Sequence, residues 1–229
     1  LRKALAHAVD YEYHLNVALE GYGKRAKGPL SSQLMFFNED IPLVEFNMGK
    51  AKEYMKKAGY PNGGFTLKVV YESAQTEKQR ALEMIQQNWG MLGIKIEPVG
   101  TDYMGQLNFQ KNKDSDIDVY LGYLWPAGAE TDIALRTYYH SDFVEFGDNA
   151  AWWTSKKVDQ LFNSGIIEQS IEKRSQIYKN LQHEIVKGVP SAFVSEAPFV
   201  IVANKRVVGY EYNPAYHQAV DVYNMTLSN

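Results

Sequence analysis

FTLKVVYESAQTEKQRALEMIQQNWGMLGIKIEPV, residues 65–99, is the stretch that decides the fold. Phe65 to Glu72 alternates well enough to be a strand. Ser73 to Thr76 reads as a loop, and Glu77 to Leu92 as a helix. The apolar positions Leu82, Ile85, Trp89 and Leu92 step by three and four, the mark of a buried helical stripe. Gly93 ends the helix, and Ile94 to Val99 is a second strand. Strand, helix, strand at this spacing is a βαβ unit, so the two strands run parallel with a right-handed crossover. The fold class is α/β.

Downstream, residues 116–132 read DIDVYLGYLWPAGAETD. Ile117, Val119, Leu121 and Tyr123 fall on one face of a strand, with Asp118, Tyr120, Gly122 and Leu124 on the other. Apolar residues on both faces predict a strand covered on both sides, in the middle of the sheet. Pro126 removes a ladder donor and Gly128 permits a turn. Thr131 or Asp132 is the candidate N-cap of a helix over Ile133 to Tyr139. An aromatic loop thereby reaches the rim where open α/β sheets hold ligands. The plainer alternative is that Trp125 is a core residue and the loop a mere connection.

Toward the N-terminus, Leu1 to Val9 predicts an amphipathic helix and Asp10 caps a second one over Tyr11 to Leu19. His7 and His14 share a side only if one helix is continuous, so they are read as ordinary helix residues and not as a metal pair. An irregular segment runs from Gly28-Pro29 to about Phe46. Asn47 caps a helix from Gly49 to Ala58 that closes on Gly59. Toward the C-terminus, Asp102 caps a helix to about Lys111, and His140 to Trp153 is irregular. Ser155 caps a helix over Lys156 to Ser164, and Ile177, Leu181 and Ile185 mark another over Ile171 to Lys187. Pro190 to Ala203 reads as one or two strands broken near Pro198. The tail from Val207 shows scattered tyrosines and no helix.

The chain has 229 residues, 45% of them hydrophobic, ample for one large domain or two small ones. A net charge of −3 gives no support to nucleic-acid binding. Without cysteine there is no disulfide, thiolate metal site or thiol nucleophile. No run of about 18 apolar residues marks a membrane helix. Leu1 opens directly on a helical pattern, so the chain reads as a piece of something longer, and a missing export signal says nothing about export. Gly21-Tyr22-Gly23 lacks the spacing of a phosphate cradle, His183-Glu184 lacks a second zinc-binding histidine, and no serine sits in a nucleophile elbow. Glu130 and Asp132 lie near a helix start, where acids serve as caps more often than as acid–base pairs. No catalytic machinery and no cofactor site emerges.

Several short motifs share an order. Leu1-Arg2-Lys3-Ala4-Leu5 with Asp10 is followed by Gly21-Tyr22-Gly23, Ala26, Gly28 and Pro29. Then come Lys50-Ala51-Lys52 with Ala58-Gly59-Tyr60-Pro61, and Gly93-Ile94-Lys95-Ile96 after a long helix. Glu172-Lys173-Arg174, Ile177-Tyr178, Gln182 and Pro190 complete the series. Over residues 1 to about 209 this order resembles the family 5 extracellular solute-binding proteins, the receptors of dipeptide, oligopeptide and nickel ABC importers. The resemblance implies a lobe like that of type II periplasmic binding proteins, a mixed and mostly parallel sheet flanked by helices. It further implies that residues 1–206 form the C-terminal lobe of a two-lobed protein and 207–229 a return segment toward the other lobe. The implied protein is not an enzyme. It is an extracytoplasmic binding module, periplasmic or lipid-anchored at the cell surface, that docks on an ABC permease. A ligand-sensing module of a bacterial transcription regulator is the alternative.

The aromatic loop coincides with that family's ligand loop, where peptide binders typically carry G-W-x-x-D and the Asp pairs with the peptide amine. Here the run is Gly122-Tyr123-Leu124-Trp125-Pro126, with Pro126 where the Asp would stand. Glu130 or Asp132 is then the available carboxylate, or the solute is a sugar or metal chelate rather than a peptide. The ligand residues implied are Tyr123, Leu124, Trp125, Pro126, Ala127, Glu130 and Asp132. Two further cleft-facing loops add Glu72 and Ser73, and Asn149, Trp152 and Trp153.

Overall fold

The computed structural model describes residues 1–125, 128–144, 148–198, 200–212 and 220–228. The stretch at 65–99 folds as its pattern predicts. Strand β2 (Phe65–Glu72) pairs in parallel with β3 (Ile94–Thr101) over eight residues, from Phe65 opposite Ile94 to Glu72 opposite Thr101. Helix α4 (Thr76–Gly90) joins them. Its stripe of Leu82, Ile85 and Trp89 is buried, and Leu92 beyond it is buried too. Gly63 and Gly93 hold the N-terminal edges of the strands together in left-handed conformations. A Cβ on Gly93 would sit 2.1 Å from the Asn62 carbonyl oxygen, so only glycine allows the two backbones to approach this closely.

Strand β4 (Val119–Leu121) differs from the expectation. It pairs in parallel with β2, opposite Val69 to Tyr71, and the order is β3-β2-β4. Among the described residues β4 is therefore a three-residue edge strand, half-buried throughout, and β2 is the centre. Apolar alternation fits a strand shielded on one face as well as one shielded on both, and it carries no neighbour count. Helix α5 (Tyr103–Lys111), capped by Asp102 as expected, lies between β3 and β4 in the chain. Short antiparallel pairs complete the sheets: β1 (Lys24–Arg25) with β5 (Ser195–Glu196), and β6 (Val207–Val208) with β7 (Thr226–Leu227). The one or two strands expected within Pro190 to Ala203 are thus limited, among the described residues, to two paired positions, and the tail holds a strand pair that its scattered tyrosines did not announce.

Two cores result. The first joins α1 (Arg2–His7), α2 (Tyr11–Tyr13, continued by a π-helical turn over His14–Ala18) and α3 (Met48–Lys57) to α4 and the sheet, around Met55, Leu67, Ile85, Trp89 and Ile94. The second packs α6 (Thr131–Tyr139), α7 (Lys156–Ile167) and α8 (Ile171–Gly188) around Leu135, Phe162, Tyr178 and Leu181. Tyr178, rather than its neighbour Ile177, is the fully buried residue of α8 in that turn. Arg25 ties the irregular segments to the first core. Its guanidinium lies 3.5 Å from the Tyr11 ring centroid and donates to the carbonyls of Val194 (3.0 Å) and Val44 (2.8 Å).

Beside Arg25, the His14 Nε2 is 3.1 Å from the Ser195 Oγ. Burial, and then the Arg25 charge, hold the His14 imidazole below its ordinary value of 6.5. The unfolded chain therefore binds a proton that the folded chain resists, and stability is lost as pH falls below about 6.5. The denaturation midpoint is expected to drop between pH 7.5 and 5.5, less steeply in His14→Gln. Identical slopes in the two proteins refute this assignment.

Candidate functional site

Because β2, β3 and β4 are parallel, their C-terminal ends share one edge, and α4 and α5 begin there. The Ser73 amide donates to Thr101 O (2.9 Å), which closes the β2 and β3 ends against each other. Glu72 ends β2 with both carboxylate oxygens engaged. One takes the ammonium of Lys78, and the other accepts from Gln75 Nε2 at 2.8 Å. Lys78 is only 5% exposed, so this pair is shielded from solvent, and each partner fixes the other's place.

The chain leaving β4 lies against this group. The Tyr123 hydroxyl donates to Glu77 Oε1 at 3.2 Å, and Lys78 Nζ stands 4.8 Å from the Tyr123 ring centroid. Burial, and then the Glu77 and Glu72 carboxylates, push the Tyr123 phenol up, so it stays a neutral donor. Tyr123 and Trp125 meet edge to face at 5.8 Å, and both remain 37–40% exposed. Tyr138 on α6 grips the Trp125 backbone: its hydroxyl accepts from the Trp125 amide at 3.0 Å and donates to the Trp125 carbonyl. Asp148 is close enough for its charge to act on the Tyr138 phenol, which burial chiefly pushes up. The edge is therefore an open aromatic shelf on a braced, polar base.

The predicted residues divide. Tyr123 and Trp125 meet directly and Glu72 joins them through Lys78, with Ser73 and Leu124 beside them in the chain. Asn149, Trp152 and Trp153 follow Asp148 on a neighbouring loop. Asn149 is fully buried and clips that loop, with Nδ2 donating to Trp153 O at 2.8 Å. Trp152 projects from it, 39% exposed and in a left-handed conformation. Pro126 and Ala127 lie outside the described residues. Glu130, not Thr131 or Asp132, is the N-cap of α6: its Oε2 accepts from the amides of Asp132 (2.7 Å) and Ile133 (3.1 Å), while Oε1 accepts from Arg174 at 3.1 Å. Asp132 is 4% exposed. Both its oxygens accept from Arg136, at 2.6 and 2.9 Å, and Oδ1 also from the Tyr178 hydroxyl at 3.0 Å. These bonds commit both acids to joining α6 to α8.

Glu77, Lys78 and Tyr138 escaped the sequence reading. Charges in a first helical turn read as solvated, and a helical tyrosine reads as core. The one usable signal was that Glu77 and Lys78 open the helix that follows a parallel strand.

The family model of the bacterial extracellular solute-binding proteins, family 5 middle region, matches residues 1–146. The chain is 26% identical over 222 residues to heme-binding protein A of Haemophilus influenzae, covering 96% of this chain and 40% of that protein. It is 26% identical over 217 residues to a dipeptide-binding protein of Pseudomonas aeruginosa, covering 93% and 40% respectively. Its fold matches a dipeptide-binding protein of Pseudoalteromonas sp. SM9913 in complex with Met-Leu, with a TM-score of 0.82, 20% identity, and coverage of 99% of this chain and 45% of that one. The chain thus spans 40–45% of the length of these proteins.

Proposed function

This chain belongs to the family 5 bacterial extracellular solute-binding proteins, and we propose that it is the ligand-binding lobe of a substrate-binding protein for an ABC importer of peptides or similar small solutes. The observation that carries the reading is the aromatic shelf at the C-terminal edge of the parallel sheet. Tyr123 and Trp125 stay exposed there although each is held by a partner that orders it. Ordered aromatic surface binds side chains or ring faces with little ordering cost. Tyr123, Leu124, Trp125, Glu72, Ser73 and Trp152 form the contact surface in this reading. Asn149 and Trp153 shape the second loop, and Glu130 and Asp132 hold α6 beneath.

Names among the relatives, which include heme- and dipeptide-binding proteins, support a receptor that sequesters its solute without turning it over. The family's description as extracellular solute-binding proteins favours an extracytoplasmic setting, and an ABC permease is the partner this reading implies. No observation favours the regulator reading. Residues 1–206 form the lobe, and 207–229 lead toward a second one. Supporting this division, β6 and β7 pair only with each other among the described residues, and Val222 and Tyr223 there are 68% and 90% exposed.

The test is a panel of dipeptides titrated against a protein of its relatives' length that carries this chain as wild type, Tyr123→Ala or Trp125→Ala. At least one variant is expected to lose about 1–3 kcal/mol of binding, since truncating a well-packed aromatic anchor commonly costs this much. Its denaturation midpoint should stay nearly unchanged. If both variants unfold while affinity per folded molecule holds, the two residues are core and the reading fails.

A further inference from the structure

Apart from the shelf, the molecule carries a cleft of about 190 Å³ at the seam between its two cores. Tyr54 and Val44 on one wall pack against the first core, and Phe193 on the other packs against the second. Ala6, Ala26 and Ala192 leave the floor and mouth open. The lining includes Lys3, Lys27 and Lys187 and no carboxylate. Among the described residues, Lys3 and Lys27 have no carboxylate within ion-pair reach. The Lys27 ammonium is aimed by a bond to the Glu39 carbonyl (2.8 Å). Lys187 has Glu184 at 3.9 Å, but Lys157 holds that same carboxylate at 2.7 Å. The wall is ordered: His7 stacks on Tyr54 at 5.6 Å and donates Nδ1–H to the Glu45 carbonyl at 2.9 Å.

A second observation bears on the same place. Val189, which lines the cleft, has φ +50°, a left-handed conformation that a β-branched residue adopts only at a cost. Glycine precedes it at position 188, where a Cβ would lie 2.3 Å from the Trp153 ring. Gly188 and Trp153 pack closely there, α8 ends in the left-handed turn at Val189, and Ser191 to Phe193 beyond it line the cleft. Strain of this kind persists where the surroundings over-determine it, and such places are often binding sites.

We propose that this cleft is a second binding site, for a small monoanion with a flat or branched apolar body, such as an aromatic carboxylate. Its volume lies below the roughly 300–1,000 Å³ of pockets for drug-sized ligands, so the occupant is small. Two ammonium groups without a carboxylate, Lys3 and Lys27, and a third, Lys187, that shares one with Lys157, surround an apolar floor and select an anion with an apolar part over either feature alone. The site shares no residue with the aromatic shelf, so it stands or falls separately from the proposed receptor function.

The experiment is an amide NMR titration of the 229-residue chain with benzoate, and in parallel with benzyl alcohol, a neutral probe of the same shape. Benzoate is expected to give saturable shifts centred on His7, Lys27, Tyr54 and Phe193, with benzyl alcohol weaker by about tenfold or more. Ala192→Glu, at the exposed mouth, should abolish the benzoate shifts, and Lys27→Met should weaken them by roughly fivefold. Non-saturating shifts, equal affinity for the two probes, or shifts centred on Tyr123 and Trp125 would each overturn the proposal. The comparison of probes on the unaltered chain decides the matter even if a variant fails to fold.

Discussion

Trp89→Ala is expected to destabilise the protein by about 3–5 kcal/mol, the range for removing a large aromatic from a core. Trp89 is 4% exposed and lies in the first core with Ile85, Leu92 and Ile94. Its indole nitrogen is buried with no hydrogen-bond partner among the described residues. The substitution therefore breaks no hydrogen bond, and it relieves one unsatisfied donor, a group that costs about 1–3 kcal/mol when buried unpaired. The effect should then fall toward the lower end, about 3 kcal/mol, and consist of lost packing and a cavity. In a chain of this size that lowers the melting temperature by roughly 6–12 °C. Trp89→Phe keeps most of the packing, removes the unpaired donor and should cost much less. A shift under about 1 kcal/mol for Trp89→Ala would show that the βαβ core does not depend on this residue.

The second large effect concerns affinity. If the chain is one lobe of a two-lobed receptor, closure around the solute adds contacts from the other lobe and excludes water. Micromolar binding corresponds to about −8 kcal/mol, and losing half of it leaves about millimolar binding. Calorimetry of this chain beside a protein of its relatives' length, with the same solute, should show that difference of about a thousandfold. The chain should fold nonetheless, since it encloses two cores of its own. Equal micromolar affinity in both proteins would place the whole site within this lobe.

Much of the fold was open to reading in the residues. The strand at Phe65–Glu72, the caps Asp10, Asn47, Asp102 and Ser155, and the buried stripe of α4 depend on neighbours two to four positions away. Such interactions are written in the sequence because both partners lie in one window. The family likewise followed from short motifs in order, and the family model agrees over residues 1–146. The location of the candidate site was legible too, because parallel strands must place their C-terminal ends at one edge.

Contacts between distant windows were settled by the tertiary structure alone. The rank of β4 as an edge strand depends on which strands pair beside β2, and alternation within seven residues cannot encode that. Asp132 looked available because nothing near it in sequence neutralises it except Arg136. The hydroxyl that completes its shell, on Tyr178, is 46 residues away. Glu130 likewise meets Arg174 across 44 residues. Tyr123 acquires its brace from Glu77 and Lys78 only when β4 docks beside β2. The sequence by itself determined the local elements and the edge where they converge, since hydrogen-bond geometry and side-chain period act over a few residues. Which polar groups at that edge are already paired, and which face solvent, was decided by packing, because burial and charge partnership come from segments that meet only in the folded chain.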